Sequence, residues 1–516
     1  MKEKKEKSKV YKIIEKIIEL IVLLSFIALT YYVGSHHEHW ADEAQAWLIA
    51  RDSSWLELFT VHMKYEGSPV LWHVILKALI SMGLTYKYYF IVPIVFTSIG
   101  VAIVEFKSKM PLLVKIMLPF AYYIFYQYTI VARSYCLIFP ALMFLTCVYN
   151  DKTKKPLLFA LGIILLMNIS THMMIVAAGM CLVYGLQVLN ATRKKISKKY
   201  YEDKLSGWKL FENWFVIVLL IACFLVVAYF LIPPKDQSEV NSYGNNINYG
   251  YITSVISDSL VTNTTEFVAE GIDKIRQDTL VASIVAAVAA VLAFACYFRD
   301  RKFYELLVLW LPLYLFLVFY YCNKWHIGML FEVLVFCLMV HQKLDKINFF
   351  SLVFCAICGV QIYYSWTSSQ YDINRMYSAS EEIANFIKNS HYEDVKIYGV
   401  GYSPTAIEPY FEENIFDNKK NNKGYYEWKN PNPNYMTIDE IKKDMPDIII
   451  LSAFRDYAYL SVVNRTESSN LYDKYYFEGA TYVKDGVYEN EGFYVYVSLN
   501  MLKDNMTNVE RVVFDN

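Results

Sequence analysis

The sequence predicts a polytopic α-helical membrane protein of about eleven transmembrane helices, followed by a small soluble α/β domain. Of its 516 residues, 56% are hydrophobic and 17% are aromatic, unlike an ordinary soluble globule. Apolar runs of roughly 17–25 residues, long enough to cross a bilayer, recur along the first three quarters of the chain. The composition turns polar after Trp366. We therefore expect a membrane domain over residues 1–366 and an extracytoplasmic domain over residues 367–516.

The chain begins with a lysine-rich segment, residues 1–9, which the positive-inside rule places in the cytoplasm. The first apolar run, residues 17–34, lacks a small-x-small cleavage site, so we expect a retained anchor. It would deliver a first outer loop, residues 35–86, to the outside. Further spans are predicted at 87–106, 111–131, 134–149, 156–171, 173–191, 213–232, 279–298, 303–321, 326–341 and 347–366.

The charges of the loops agree with this alternation. The acidic first loop and the Asn-rich segment 233–278 fall outside, and the basic loops fall in the cytoplasm. The C-terminal domain is then extracellular. The cytoplasmic loops carry Lys107 and Lys109, Lys152, Lys154 and Lys155, residues 193–199, Arg299, Arg301 and Lys302, and Lys343 and Lys346.

Two amphipathic helices in the outer loop are expected to lie on the membrane rather than cross it. Residues 42–51 place three apolar side chains on one face, and Ser54-Trp55-Leu56-Glu57 has the pattern of a capping box. Residues 69–84 are apolar but short. Counting them as a span would move the basic loops outside, so we expect another interfacial helix there.

The polar C-terminal part alternates helix and strand signals that are typical of a small α/β domain. It has no Gly-rich phosphate loop, nucleophile elbow or zinc-ligand spacing, so binding or structural support is its expected role. Helices are predicted at 380–389, 404–412 and 438–443, and strands at 395–398, 447–451 and 492–498.

Charge and cysteine content argue against two classes of protein. The formal net charge is −1 and no basic patch with interleaved aromatic residues is present, so nucleic acid is not an expected partner. The nine cysteines lie in or beside apolar runs and the polar domain has none, so no disulfide framework is predicted.

Polar residues that could take part in catalysis or phosphate binding lie on the outer face of the predicted topology. Asp42 and Glu43 follow the first span, and Glu66 lies later in the same loop. Acidic residues in a first helical turn commonly do no more than satisfy the helix dipole, and basic residues at span ends commonly snorkel. Here the acids of one loop combine with cations from several helices, which predicts a site with two electrostatic halves. The basic residues are Arg133, His172, Lys324 and His326.

This division suits transfer from a lipid phosphate. A carboxylate can take the proton of an acceptor hydroxyl or amine, which typically contributes ~10²–10⁴ in rate. Fixed cations can stabilise the charge that grows on a phosphate leaving group. A membrane setting indicates that this phosphate belongs to a lipid.

Five motifs follow one another in order over about residues 12–345, beginning with the Asp42-Glu43 pair. The others are Tyr65-Glu66-Gly67-Ser68-Pro69, Ile130-Val131-Ala132-Arg133-Ser134-Tyr135, Thr171-His172 and Lys324-Trp325-His326-Ile327-Gly328-Met329-Leu330. In these motifs the chain resembles the GT-C superfamily of polytopic glycosyltransferases, which includes protein O-mannosyltransferases and the lipid A aminoarabinose transferase.

The resemblance implies a transferase that moves a sugar from a polyprenyl-phosphate donor to an acceptor at the outer face of the plasma membrane, by inverting displacement at the anomeric carbon. It implies Asp42 as the general base or acceptor-orienting group, with Glu43 and Glu66 assisting it or holding a divalent cation. The helices of the first loop would shape the acceptor groove. The donor phosphate would be bound by Arg133, His172, Lys324 and His326.

Three stretches differ from the family pattern. Gly67-Ser68-Pro69 stands where His-Pro-Pro is common, and Lys324-Trp325-His326 stands where Arg-His is common. Lysine lacks the bidentate fork of arginine. The stretch His36-His37-Glu38-His39 lies outside the pattern. Its ligand types suit Zn²⁺ or Mn²⁺, but neighbouring side chains point in different directions, so a solvated loop is expected.

Cofactor and acceptor stay open at this stage. A Mg²⁺ or Mn²⁺ ion is compatible with the acidic loop, with Asp42, Glu43 and His39 as candidate ligands. The acceptor is a lipid-linked, polymeric or protein molecule. The Lys-, Asn-, Ile- and Tyr-rich composition is typical of an AT-rich bacterial genome, which favours a bacterial cell envelope.

Two other functions compete with the transferase. One is a glycan polymerase or ligase that acts on long lipid-linked chains. The other is a transporter or flippase without enzymatic activity. Transporters commonly carry internal repeats and helices broken at the membrane midplane. The sequence has no convincing repeat, and its polar residues gather at one predicted face.

Overall fold

The computed structural model describes residues 2–196, 206–238, 255–256, 258–260, 305–342, 344–437, 440, 443–444, 446–453, 472–477, 491–499 and 501. The chain divides into two compact units. Unit 1 consists mainly of Met1–His37 and Trp55–Ile373. Unit 2 consists of Glu38–Ser54 and most of the chain from Asn374 onward. The segment Glu38–Ser54 therefore groups with the C-terminal part, whereas the sequence placed it in the first outer loop of the membrane domain.

Fifteen α-helices lie within the described residues, and we label them in chain order. They are α1 (Lys2–Gly34), α2 (Ala41–Asp52), α3 (Trp55–Glu57), α4 (Met63–Glu66), α5 (Leu71–Ser81), α6 (Ile91–Lys107), α7 (Leu112–Met117), α8 (Ile138–Val148), α9 (Pro156–Met167), α10 (Thr171–Ile196), α11 (Gly207–Leu231), α12 (Leu311–Phe319), α13 (Lys324–Val340), α14 (Phe349–Asn374) and α15 (Ser380–Asn389).

Five helical stretches among the described residues are long and apolar enough to cross a membrane. Each coincides with a predicted span. In α11 only 17% of the most apolar 18-residue stretch is buried, and Phe211, Val218 and Leu225 are exposed. Outward-facing apolar side chains on a long helix are typical of a helical membrane protein. The five stretches are Tyr86–Lys107, Ser134–Asp151, Thr171–Arg193, Gly207–Leu231 and Phe349–Asn374.

Other predicted spans take a different form. Residues 111–131 are not one helix, because α7 ends at Met117 and short turns follow over Leu118–Phe120 and Tyr123–Gln127. Pro119 accounts for the break, since it has no backbone N–H to donate. Apolar helices of under 18 residues cover Pro156–Met167, Leu306–Phe319 and Trp325–Val340. The predicted span 279–298 and most of segment 233–278 lie outside the described residues.

The helix α5 covers the short apolar segment that we predicted to lie in the interface. Its 11 residues give a length of about 16 Å. The hydrocarbon core of a bilayer is about 30 Å thick. The length of α5 therefore agrees with a helix that does not cross the membrane alone.

Unit 2 is built on a four-stranded sheet in the order β1-β2-β4-β3. The strand β1 pairs parallel with β2, and the other pairs are antiparallel. Every residue of β2 is buried, so both faces of the sheet are covered at this strand. The strands are β1 (Ile397–Val400), β2 (Ile448–Ser452), β3 (Tyr472–Phe477) and β4 (Phe493–Ser498).

The C-terminal predictions can be compared element by element. The helix at 380–389 is confirmed as α15, and the predicted strands are confirmed within a few residues as β1, β2 and β4. The predicted helix 404–412 is wrong, because two 3-10 turns stand there, Ser403–Ala406 and Glu408–Tyr410, and Pro409 cannot donate to a helical ladder. The predicted helix 438–443 lies mostly outside the described residues.

The acidic helix α2 is part of the interior of unit 2. Ala41 and Ala44 belong to one apolar cluster with Ile383 of α15 and with Ile448 and Ile450 of β2. Trp47 and Leu48 are buried as well. The expectation that this helix lies on the membrane with an apolar face toward lipid is therefore wrong, because that face is covered by the sheet and by α15.

Candidate functional site

Three basic side chains of unit 1 meet at the starts of three helical segments. Arg133 directly precedes the turn Ser134–Leu137 that leads into α8, His172 is the second residue of α10, and His326 is the third residue of α13. The rings of His172 and His326 lie 4.2 Å apart between centroids. Because helix starts carry partial positive charge and N–H groups outside the helical ladder, their convergence with the charge of Arg133 favours anion binding. We call this group the basic cluster.

The backbone fixes the protonation pattern of His326. The N–H of Asn323 donates to Nδ1 of His326 at 3.1 Å, so this nitrogen carries a lone pair. The neutral ring then holds its hydrogen on Nε2 and donates it to the hydroxyl of Tyr135 at 3.0 Å. His326 therefore orients Tyr135, whose own hydroxyl hydrogen is left to donate to a further acceptor.

His172 offers a different kind of nitrogen. The backbone of Tyr321 forms a hydrogen bond with the ring. Nε2 is buried and has no hydrogen-bond partner among the described residues, so the bond to Tyr321 is made by Nδ1. Such buried unsatisfied groups are rare in folded proteins and point to a ligand or a chemical role.

The guanidinium of Arg133 lies over two aromatic rings. Its guanidinium carbon is 5.1 Å from the ring centre of Tyr135 and 5.3 Å from that of Trp325. The position of Trp325 is fixed in turn by Tyr128, whose hydroxyl donates to the carbonyl of Trp325 at 2.7 Å. Contacts of this kind hold the flat face of a guanidinium and leave the N–H groups of its edge able to donate.

The acidic residue Glu66 belongs to unit 1, in a turn that is attached to the start of α10. Glu66 ends α4, and Gly67 follows with a φ of +60°, a conformation that favours glycine. The hydroxyl of Thr171 donates to the carbonyl of Gly67 at 2.7 Å, and His172 is the next residue. The motif around Glu66 and the Thr171-His172 motif therefore touch.

Lys324, the fourth predicted phosphate ligand, begins α13, and its side chain lies outside the described residues.

Gly328, one turn further along α13, has a packing role. A Cβ at this position would overlap the ring of Tyr123, so α13 approaches that ring closely only because residue 328 is glycine.

The two acidic residues of α2 have different partners within unit 2. Glu43 is fully buried and uses both carboxylate oxygens. Oε1 lies 3.0 Å from Nδ1 of His39, and Oε2 accepts the N–H of Trp40 at 3.2 Å. This second bond is half of a capping box, so Glu43 helps to start α2. Glu491 accepts the next N–H, that of Ala41, at 3.0 Å.

Asp42 points to an aromatic residue of the C-terminal part. The hydroxyl of Tyr402 donates to Oδ1 of Asp42 at 2.8 Å. Both side chains are half-buried. Of the two neighbouring carboxylates, Glu43 therefore supports the helix start, and Asp42 is the one beside an aromatic surface.

The expectation of a solvated histidine loop is wrong, because His37 and His39 are buried. In unit 1, Nδ1 of His37 lies 3.2 Å from Oδ2 of Asp372, which also accepts from Tyr126 at 2.8 Å. In unit 2, His39 pairs with Glu43. Of the three candidate metal ligands, His39 and Glu43 are adjacent, while Asp42 is directed to Tyr402.

Sequence reasoning missed the residues that support these side chains. Tyr135 stood inside a motif already singled out, and its spacing from Arg133 was the available signal. Asn323 acts through its backbone, which no side-chain pattern reveals. Tyr402 and Tyr426 lie far along the chain among 45 tyrosines, so nothing in the sequence marked them as neighbours of α2.

These features are consistent with a helical membrane protein that has a basic cluster in its helical unit and an acidic helix in its sheet-containing unit. No protein-family model matches the chain, and no curated protein matches it. The basis for a function is therefore the chemistry of the residues themselves.

Proposed function

We propose that the protein is a membrane glycosyltransferase that moves a sugar from a polyprenyl-phosphate donor to an acceptor on the outer face of a bacterial plasma membrane. The observation that carries the proposal is the basic cluster. Three helix starts, a stacked guanidinium and a buried imidazole nitrogen that donates once the ring is protonated make a place for an anion at one end of apolar helices. A lipid phosphate is the anion that such a setting meets.

In the proposed reaction the acceptor hydroxyl oxygen attacks the anomeric carbon of the donor sugar. The bond between that carbon and the phosphate oxygen breaks, and its electron pair leaves with the phosphate. The basic cluster stabilises the added charge on the polyprenyl phosphate. The hydroxyl proton passes to the carboxylate of Asp42 and then to solvent.

The remaining predicted residues take supporting roles in this proposal. Glu43 holds the start of α2, which fixes the direction of Asp42. Glu66 belongs to the turn attached to Thr171, and Lys324 would add a point charge for the phosphate. His39 and Glu43 supply the donor types that a divalent ion takes. A metal there would polarise or orient the acceptor and would not replace the base.

The test is sugar transfer by the Asp42→Asn protein in liposomes that hold a panel of polyprenyl-phosphate sugars, compared with wild type. The substitution keeps size and most hydrogen bonding but removes the base. We expect transfer to fall by about 10² or more while donor binding persists. Asp151→Asn is the matched control, since the side chain of Asp151 is 47% exposed and, among the described residues, pairs with Lys154 at 3.2 Å.

Two results would remove the proposal. If wild-type protein transfers nothing from any donor, the enzyme assignment fails and transport of a lipid-linked substrate becomes the leading function. If Asp42→Asn matches wild type, the acidic helix is scaffold. A product that grows by blocks rather than by single sugars would identify the polymerase or ligase instead.

A further inference from the structure

Three aromatic rings of unit 2 form a compact group beside Asp42. Tyr402 and Trp428 have centroids 4.8 Å apart, Tyr426 and Trp428 are 5.1 Å apart, and Tyr402 and Tyr426 are 5.6 Å apart. All three side chains are half-buried. Because Tyr402 also donates to Asp42, the rings and the carboxylate make one continuous surface. We call it the aromatic face.

The helix α2 holds the loop that carries two of these rings. Gln45 pairs twice with the backbone of Tyr426, since its Nε2 donates to the carbonyl and its Oε1 accepts the N–H, each at 2.8 Å. Asp52 accepts the N–H of Gly424 at 2.8 Å. Side chains along the helix that bears Asp42 therefore set the position of the loop, and the aromatic face is a built feature and not a chance contact.

The dimensions of the aromatic face decide what kind of ligand it suits. Rings that surround a cation must leave a space between them, whereas these rings are already in contact with one another. The ring planes are tilted by 45°, 68° and 78° to one another, so a ligand would lie over the face of one ring and touch its neighbours. The negative π-faces favour ligand C–H groups, and the adjacent carboxylate accepts hydroxyl hydrogens. A pyranose ring offers both groups, C–H bonds on its flat face and hydroxyls at its edge.

We propose that the aromatic face binds the acceptor of the transfer reaction and that this acceptor is a carbohydrate, an inference that rests on the proposed function. In this arrangement the sugar lies over the face of Trp428, beside Tyr402, with a hydroxyl at Asp42. Tyr402 links the two halves, because its ring belongs to the face and its hydroxyl holds the carboxylate. The same group that orients the proposed base thus contacts the proposed acceptor.

The experiment measures binding of neutral oligosaccharides to the full-length protein in nanodiscs. The probes are chitotetraose, maltotetraose and cellotetraose. Saturation-transfer NMR detects their binding, and titration of the protein with each probe gives its affinity. We expect at least one probe to bind wild type, and Trp428→Ala to weaken it by about tenfold. Trp208→Ala is the matched control, because Trp208 is 74% exposed, belongs to unit 1 and lies outside the first outer loop. Tyr402→Phe keeps the ring and should weaken binding less, which covers the case in which Trp428→Ala fails to fold.

The outcomes separate this inference from the proposed function. If no oligosaccharide binds wild type, or if Trp428→Ala and Tyr402→Phe both bind as wild type does, the carbohydrate acceptor is overturned even where sugar transfer to another acceptor is seen. Binding of tetramethylammonium that Trp428→Ala abolishes, without binding of sugars, also overturns it in favour of a cationic ligand. If sugars bind as expected but no donor supports transfer, the proposed function fails and the aromatic face remains a glycan-binding surface.

Discussion

The basic cluster of unit 1 and the acidic helix of unit 2 were visible in the sequence to very different degrees. Arg133, His172 and His326 each stand at the edge of an apolar stretch, and the structure brings all three together. Asp42 stands at the edge of an apolar stretch too, but its partner Tyr402 belongs to a polar region 360 residues further on.

The difference has a physical origin. Charged groups are costly at membrane depth, so a polar residue beside a long apolar run is conspicuous. In a unit without long apolar runs the same residue types cover the surface, and a functional carboxylate does not stand out from its neighbours. Candidate functional residues are therefore easier to recognise in the sequence of the apolar helices than in the sequence of the sheet-containing unit.

The largest effect that we predict is a loss of stability in unit 2 when the buried ion pair beneath the loop of the aromatic face is broken. Lys419 is buried and donates to Glu408 at 2.9 Å and to the carbonyl of Gly424 at 2.7 Å. Burial raises the pKa of Glu408 and lowers the pKa of Lys419. Lys419→Met leaves a buried carboxylate without its cation, so we expect unit 2 to lose about 3–5 kcal/mol of stability. Hydrogen exchange of the Gly424 and Tyr426 amides measures the loss.

The sign of the pH dependence identifies the cause. A carboxyl group whose folded pKa is raised destabilises the fold at high pH, and this destabilisation is relieved as the pH falls through the folded value. The defect of Lys419→Met should therefore shrink as the pH is lowered toward the ordinary value for glutamate. The double substitution Glu408→Gln with Lys419→Met has no buried charge and should show no such slope. Equal exchange in all variants would contradict the supporting role of the pair.

The next effect concerns the basic cluster. Arg133→Gln removes the permanent charge, and hydrogen bonds to charged groups are worth about 1.5–3 kcal/mol. We expect the affinity for a polyprenyl-phosphate sugar to fall by roughly 10- to 100-fold in nanodiscs, with the fold of unit 1 intact. The exposed Arg193 is the matched control, because it lies near the other end of α10, about 32 Å from His172 along the helix. A similar loss in Arg193→Gln would indicate a general charge effect and no local site.

A structural feature could be predicted from the sequence where it depends on residues that are close together along the chain. The five stretches suited to crossing a membrane and the helix α15 were predictable from runs of apolar residues and from helical periodicity, both local signals. The residues of the basic cluster were predictable because motifs beside apolar runs marked them. The different roles of these residues could not be predicted, because the role of His326 depends on a backbone N–H and on the Tyr135 hydroxyl.

The position of α2 lay beyond sequence reasoning for a related reason. Its apolar residues indicated a buried face but not what would cover it, and a membrane surface and a protein core demand the same pattern. The partners that decide between them, Ile383 and Ile448, are more than 330 residues away. Gln45 and Asp52 gave no signal either, because their bonds go to the backbone of a distant loop.

The smallest effect tests the contrast between the two histidines of the basic cluster. With Nδ1 bonded to the backbone of Tyr321, neutral His172 presents a lone pair at Nε2, which repels a phosphate oxygen, whereas the protonated ring donates to it. Binding of a phosphodiester donor should therefore take up a proton, and affinity should rise by up to about tenfold for each unit fall in pH. His326 cannot respond in this way while the Asn323 N–H occupies its Nδ1, and the charge of Arg133 is fixed.

The matched pair for this measurement is His172→Gln and His341→Gln. A glutamine amide donates without taking up a proton, so His172→Gln should bind the donor with no pH slope between pH 5 and pH 8, a range that spans roughly the ordinary titration of histidine. His341 pairs with Glu305 at 3.1 Å beyond the end of α13, and its substitution should leave the slope unchanged. If both variants keep the wild-type slope, the proton is taken up elsewhere, and His172 binds the phosphate as a neutral neighbour or not at all.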